Sequence, residues 1–78
     1  MKTLKELRVM KKIRVKRIYI GNDERREKEL IGEIEFRSKD YIFRCGQHES
    51  YGYILKEHLR DYGFEIEALG GHIQYHLI

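Results

Sequence analysis

The stretch ESYGYILKEHLRDY, residues 49–62, decides the fold class of this chain. Its larger nonpolar and ring side chains recur at three- and four-residue steps, the spacing of one face of an α-helix: Tyr51, Leu55, His58, Leu59 and Tyr62. Gly63 follows at the position where a helix C-terminus favours a positive φ. The pattern therefore predicts one main helix over residues 49–62.

Before this helix, the spacing predicts three strands, over residues 12–20, 30–37 and 41–45. The alternation in the first strand changes phase, which predicts a β-bulge at Lys16-Arg17, with these two residues opposite Glu35 and Glu33. A tight turn at Lys39-Asp40 joins the other two strands. It predicts that Phe36 lies opposite Phe43 and Ile34 opposite Cys45.

After the helix, residues 64–78 have the pattern of a β-hairpin. Gly70-Gly71 separates two alternating segments, and a two-residue turn there pairs their nonpolar residues on one side. The predicted pairs are Phe64 with Leu77, Ile66 with Tyr75 and Ala68 with Ile73.

These elements predict a single α+β domain over residues 1–78, in the order β-β-β-α-β-β. The sheet is mostly antiparallel, and the main helix packs on one of its faces. Thr3 and Glu6 have the spacing of a capping box, which predicts a short helix over residues 3–10, either docked on the sheet or part of an extension over residues 1–10. One helix is too small to cover the sheet face, so we expect the N-terminal segment or a second copy in a homodimer to cover the rest.

The composition excludes several protein classes. The single cysteine, Cys45, rules out a disulfide scaffold, and no nonpolar run is long enough to span a membrane. The N-terminus lacks the nonpolar stretch of a secretory signal. The sequence therefore predicts a cytoplasmic protein. Abundant isoleucine, Lys, Arg and Glu, with few Asn and Gln, indicate a prokaryotic or phage origin.

Two patterns resemble chemical sites, and both are interpreted as structural. Cys45-x2-His48 and His72-x3-His76 resemble zinc-ligand spacing, but on a strand the two histidines lie ~13 Å apart, too far to share one ion. Cys45 and His48, three residues apart, are expected on opposite faces, so a nucleophile with its base is not expected. We therefore predict no metal, no cofactor and no enzymatic activity.

The N-terminal fifth of the chain is strongly basic. Residues 1–20 hold eight Lys or Arg and one acid, giving +7, whereas the whole chain carries +3. Such a segment suits contact with a phosphate backbone, with Lys11, Lys12 and Arg14 as candidate contacts and Tyr19 beside them. One function hypothesis is therefore nucleic-acid binding by residues 2–17.

A second hypothesis is protein binding by the sheet face that the helix leaves open. Ile31, Ile42 and Tyr53 are predicted on that face, where exposed nonpolar side chains favour protein contact. The predicted function is a small non-enzymatic binding module, most simply a protein-interaction, inhibitor or regulator domain. Nucleic-acid binding is the alternative.

Overall fold

The computed structural model describes residues 3–23 and 25–78. Within these residues it has one α-helix, α1 (Leu4–Val9), one 3₁₀ turn (Lys56–His58) and seven strands: β1 (Lys12–Gly21), β2 (Arg26–Phe36), β3 (Asp40–Cys45), β4 (His48–Tyr53), β5 (Leu59–Arg60), β6 (Gly63–Ala68) and β7 (Gly71–Leu77). No helix in these ranges is long and nonpolar enough to cross a membrane.

All seven strands form one antiparallel sheet in the order β4-β3-β2-β1-β7-β6-β5. The sheet curls strongly, because strands far apart in this order meet through their side chains. Tyr41 on β3 lies 5.2 Å from Phe64 on β6 and 5.3 Å from Tyr75 on β7, measured between ring centroids. The result is a curled half-barrel whose inner face forms the hydrophobic core.

The predicted α+β fold with a main helix is therefore wrong. Residues 49–62 hold β4, the 3₁₀ turn and β5 instead of a helix. The helical spacing does not correspond to a buried stripe, because Tyr51 is 63% exposed and Leu55 is 49% exposed, whereas Ile54 between them is fully buried.

Residues 48–53 form a strand because pairing with β3 outweighs the local helical spacing. Tyr51 and Tyr53 favour extended backbone, and Gly52 between them is a poor helix former. Gly52 also lies against the Tyr41 ring: a Cβ at this position would come within 2.8 Å of the Tyr41 hydroxyl. The glycine thus lets an aromatic ring of β3 lie over the neighbouring strand.

Both predicted hairpins exist, but their registers differ from the prediction by two residues. Phe36 pairs with Tyr41, and Ile34 pairs with Phe43. In the C-terminal hairpin the turn falls at Leu69-Gly70, and the pairs are Phe64 with Tyr75, Ile66 with Ile73 and Ala68 with Gly71. A shift of two residues keeps each side chain on its predicted face, which is why the core residues were still identified.

The β-bulge also lies elsewhere. The irregularity falls between Ile18 and Ile20, and in the regular register before it Lys16 pairs with Ile31 and Arg17 pairs with Leu30. The predicted pairing of these two basic residues with Glu35 and Glu33 is therefore wrong.

The short N-terminal helix is present and completes the core. The Thr3 hydroxyl accepts a hydrogen bond from the Glu6 backbone N–H at 3.2 Å, which caps α1. Leu7 is fully buried, and the Arg8 side chain donates to the Ile54 carbonyl at 3.2 Å. Helix and curled sheet together cover the core, so covering the sheet no longer requires a homodimer.

Candidate interaction surface

The outer face of the sheet, defined as the face opposite the core, carries most of the residues predicted to bind a partner. Strand pairing places Lys12 opposite Glu35 and Arg14 opposite Glu33 across β1 and β2. Cross-strand partners share a face, so each of these cations lies beside an acid. The predicted basic patch is therefore a surface of alternating charge.

An ion network built on Arg44 lies on this outer face, at the β4 end of the sheet. Arg44 donates to Glu35 at 2.8 Å and to Glu49 at 2.7 Å, so it links β2, β3 and β4. The hydrogen bonds from Arg44 lower the pKa of both carboxyl groups below the ordinary value, and Tyr51 adds a hydrogen bond to Glu49. The two acids in turn raise the pKa of the Arg44 guanidinium.

The two isoleucines predicted on this face differ in accessibility. Ile31 is 51% exposed, next to Lys16 on the neighbouring strand. Ile42 is only 4% exposed and lies between Glu35 and Tyr51 in the row across β2, β3 and β4. A partner can therefore contact Ile31 without any rearrangement, but it cannot reach Ile42.

Tyr53 lies on β4, whose outer edge pairs with no other strand among the described residues. The Arg37 N–H donates to the Asp40 carbonyl, so the backbone groups of Asp40 point toward β2. Because successive residues of an antiparallel strand point to opposite sides, the backbone groups of Tyr41 and Phe43 point toward β4. By the same alternation on β4, the backbone groups of Glu49, Tyr51 and Tyr53 point away from the sheet.

The β4 edge, defined as Glu49, Tyr51 and Tyr53, combines backbone groups that pair with no other strand among the described residues with exposed rings. Tyr53 is 71% exposed, slightly more than Tyr51. The sequence indicated Tyr53 but not the edge, because residues 49–62 were interpreted as helix. The alternation of Tyr51 and Tyr53 around Gly52 was the signal that could have revealed a strand.

Lys11 and Tyr19 lie apart from this surface. Lys11 joins α1 to β1 in the left-handed region, with φ of 54°, and its carbonyl accepts from the Phe36 N–H. Tyr19 pairs with Ile73, on the core side of β1, and its hydroxyl donates to the Leu69 carbonyl at 2.8 Å. Only Lys12, Arg14, Ile31 and Tyr53 of the predicted contacts are both accessible and on the outer face.

The cysteine and histidine patterns have different surroundings from those expected. Cys45 and His48 are cross-strand partners beside the β3–β4 turn, so they share a face, contrary to the prediction. His48 bonds to the Ser50 hydroxyl at 3.0 Å. His76 stacks on Tyr62 with ring centroids 4.1 Å apart. Within residues 3–23 and 25–78, no group of three or more potential ligands is placed to hold a metal ion.

Compared with known proteins, the chain matches no family model, no curated protein and no solved structure. The function of the surface must therefore be inferred from its own geometry.

Proposed function

We propose that this chain is a small non-enzymatic module that binds another protein through its β4 edge and the adjoining outer face. The observation that carries the proposal is a strand edge with exposed tyrosines that pairs with no other strand within residues 3–23 and 25–78, with Tyr51 and Tyr53 each more than half exposed. An extended segment of a partner can add to such an edge through main-chain hydrogen bonds. Tyrosine rings supply contact area at low entropic cost, which is why they are common at protein interfaces.

The charge pattern favours protein over nucleic acid as the partner. Lys12 and Arg14 lie beside acids, and Lys16 lies 3.9 Å from Glu29. Phosphate binding requires uncompensated positive charge, whereas protein interfaces commonly have alternating charges at their rims.

We further propose a cytoplasmic location, because the single cysteine cannot form an internal disulfide.

The test is capture of a partner by the immobilised full chain from a nuclease-treated lysate of the source organism. We expect a stoichiometric protein that the double variant Tyr51→Ser/Tyr53→Ser no longer captures. Both side chains are mostly exposed, so the free energy of unfolding of the variant should lie within about 1 kcal/mol of that of the native chain.

The matched control is Leu69→Ser, which removes a nonpolar side chain that is 99% exposed in the β6–β7 turn and leaves β4 unchanged. Loss of the partner with Leu69→Ser and not with the tyrosine variant would contradict binding at the edge. Retention of nucleic acid that falls steeply with salt, and is lost in the Lys11→Ala/Lys12→Ala/Arg14→Ala variant, would contradict the proposal and support the alternative.

A further inference from the structure

Arg17 is a cation on the inner face of the sheet, the face that forms the core. It lies on β1 between Leu30 of β2 and Tyr75 of β7, its partners on the two neighbouring strands. Cross-strand partners share a face, so the Arg17 side chain enters the same layer as the buried Tyr75 ring. Arg17 is half-buried, and its guanidinium carbon lies 5.8 Å from the centroid of the buried Phe43 ring.

The Arg17 guanidinium pairs with no carboxylate or carbonyl among the groups that the structure describes. Its Nε is buried and has no hydrogen-bond partner. On the strands, the acidic side chains with a described position alternate with the inward ones, so they lie on the outer face and do not reach it. The face of the Phe43 ring offsets part of the cost of removing this cation from water. Arg17 is therefore a partly desolvated cation without a counter-ion in the described part of the chain.

Arg17 lies toward one end of the half-barrel, the end away from α1. The other end is marked by the hydrogen bond from the Phe36 N–H to the carbonyl of Lys11, which directly follows the helix. Around Arg17, nonpolar side chains pack against the core but are only half-buried. Together with Arg17 they define the mouth of the half-barrel: Leu30, Cys45, Ile66 and Ile73. The cation is thus set among nonpolar surface that solvent still reaches.

We propose that this mouth binds a carboxylate carried on a single nonpolar chain, as in a fatty acid, with Arg17 as the group that holds the carboxylate. The terminal nitrogens of a guanidinium can bind both carboxylate oxygens at once, and such bonds are strong where water is partly excluded. The nonpolar chain covers Leu30, Ile66 and Ile73. Mouths of β-barrels are common ligand sites because a nonpolar lining there surrounds a few polar groups.

The mouth is less suited to a protein segment or to nucleic acid. Strands β1, β2 and β7 are interior strands, whose backbone groups pair within the sheet. A peptide laid across them would leave its own N–H and C=O groups without main-chain partners, which is costly where water is excluded. Nucleic acid requires several cations along its backbone, whereas the mouth has Arg17.

The inference does not depend on the proposed function. The mouth lies on the inner face, whereas the side chains of the β4 edge lie on the outer face. Capture of a protein by the β4 edge and binding of a carboxylate at the mouth can therefore fail independently.

The test measures binding of sodium octanoate to the full chain by isothermal titration calorimetry and by NMR. We expect saturable binding, with shifts of methyl resonances concentrated in Leu30, Ile66 and Ile73. Octanamide has the same chain without the charge, so it should bind at least about tenfold more weakly. Acetate lacks the nonpolar chain and should show no saturable binding in the same concentration range. Equal binding of octanoate and octanamide, no binding of octanoate up to millimolar concentration, or shifts confined to β4 would each overturn the inference.

The role of Arg17 is tested by Arg17→Met, which keeps a nonpolar stem over Phe43 and removes the charge. Octanoate should bind this variant at least about tenfold more weakly. Without ligand, its Tm should be at least that of the native chain, because replacing an unpaired, partly buried charge by a nonpolar side chain removes a desolvation cost. A Tm well below that of the native chain would show that Arg17 already has its partner in the folded chain. Unchanged octanoate affinity would show that Arg17 does not hold the carboxylate, and either result overturns the inference.

The matched control is Arg14→Met, the same substitution on the same strand but on the outer face, where Arg14 lies opposite Glu33. This variant has the same net charge as Arg17→Met and should bind octanoate with the affinity of the native chain. Equal weakening by the two variants would show a general effect of charge and refute the assigned site.

Discussion

Gly52 provides a test whose sign depends on whether residues 49–62 are a strand or a helix. In a helix, Gly52→Ala should raise stability by about 0.5–1 kcal/mol, because alanine is the better helix former. In the structure, the new Cβ would lie 2.8–3.0 Å from the Tyr41 hydroxyl and two Tyr41 ring carbons. Contacts this short require the ring or the strand to move.

The Tyr41 ring has little freedom to move away. It is buried, its hydroxyl donates to Tyr75 at 3.3 Å, and its ring packs on Phe64 and Tyr75. Overpacking of this kind costs about 1–3 kcal/mol, and the reduced freedom of the unfolded chain offsets about 0.4–1 kcal/mol of it. We therefore expect a net loss of about 1–2 kcal/mol, equivalent to a fall in Tm of roughly 5–15 °C for a domain of this size.

The assay is thermal and urea unfolding followed by far-UV circular dichroism. The double-mutant cycle with Tyr41→Leu assigns the cause: with the ring removed, Gly52→Ala should cost at least about 0.5 kcal/mol less than it does in the native background. A higher Tm for Gly52→Ala, or no coupling between the two positions, would refute the placement of Gly52 beneath the Tyr41 ring.

Two further predictions concern stability. Arg44 lowers the pKa of Glu35 and Glu49. These two carboxylates therefore stabilise the fold above their unfolded pKa, and this stabilisation is lost as the pH falls through their lower folded pKa values. In Arg44→Gln, NMR titration should show that both pKa values rise, and the Tm of the variant should fall less between pH 5 and pH 3 than the Tm of the native chain. Unchanged pKa values in that variant would contradict the network. Leu7 is fully buried, so Leu7→Ala should lose about 2–4 kcal/mol by urea unfolding, whereas Val9→Ala on the exposed side of α1 should change stability by less than about 0.5 kcal/mol. Equal effects of the two would show that α1 does not dock.

Within the two hairpins, the face of the sheet that a residue occupies could be predicted from period-two alternation, even where the pairing could not. Phe36 and Phe43 were expected as direct partners, and both are in the core although Tyr41 is the partner of Phe36. Alternation determines which face a residue occupies, but a shift of two residues leaves that face unchanged. The exact register therefore depends on the position of the turn. In the C-terminal hairpin the turn lies at Leu69-Gly70, one residue before the predicted Gly70-Gly71, and this displacement shifts the pairing by two residues.

The fold class could not be predicted, because residues 49–62 contain two competing periods. Steps of three and four from Tyr51 through Leu59 suit a helix, whereas Tyr51, Tyr53 and Leu55 also alternate with period two. Helix propensity differs by less than about 1 kcal/mol between such residues, and tertiary contacts easily outweigh it. Here the contacts are the pairing with β3 and the fit of Gly52 against Tyr41, neither of which can be read locally.

The same region explains why β4 is an open edge among the described residues. After β4, the chain crosses from one edge of the sheet to the other through residues 54–58, held by the burial of Ile54 and by the hydrogen bond from Arg8 to its carbonyl. His58 stabilises the turn at the end of this crossing through two hydrogen bonds to Leu55. Its ring Nδ1 accepts from the Leu55 backbone N–H at 3.0 Å, and its backbone N–H donates to the Leu55 carbonyl at 2.9 Å. A chain that crosses in this way cannot pair with β4 or extend β5 along the rest of β6. Among the described residues, the β4 edge is thus left without a strand partner and carries exposed tyrosines, whereas β6 is paired with β5 next to the 3₁₀ turn. That difference is why we assign partner binding to the β4 edge.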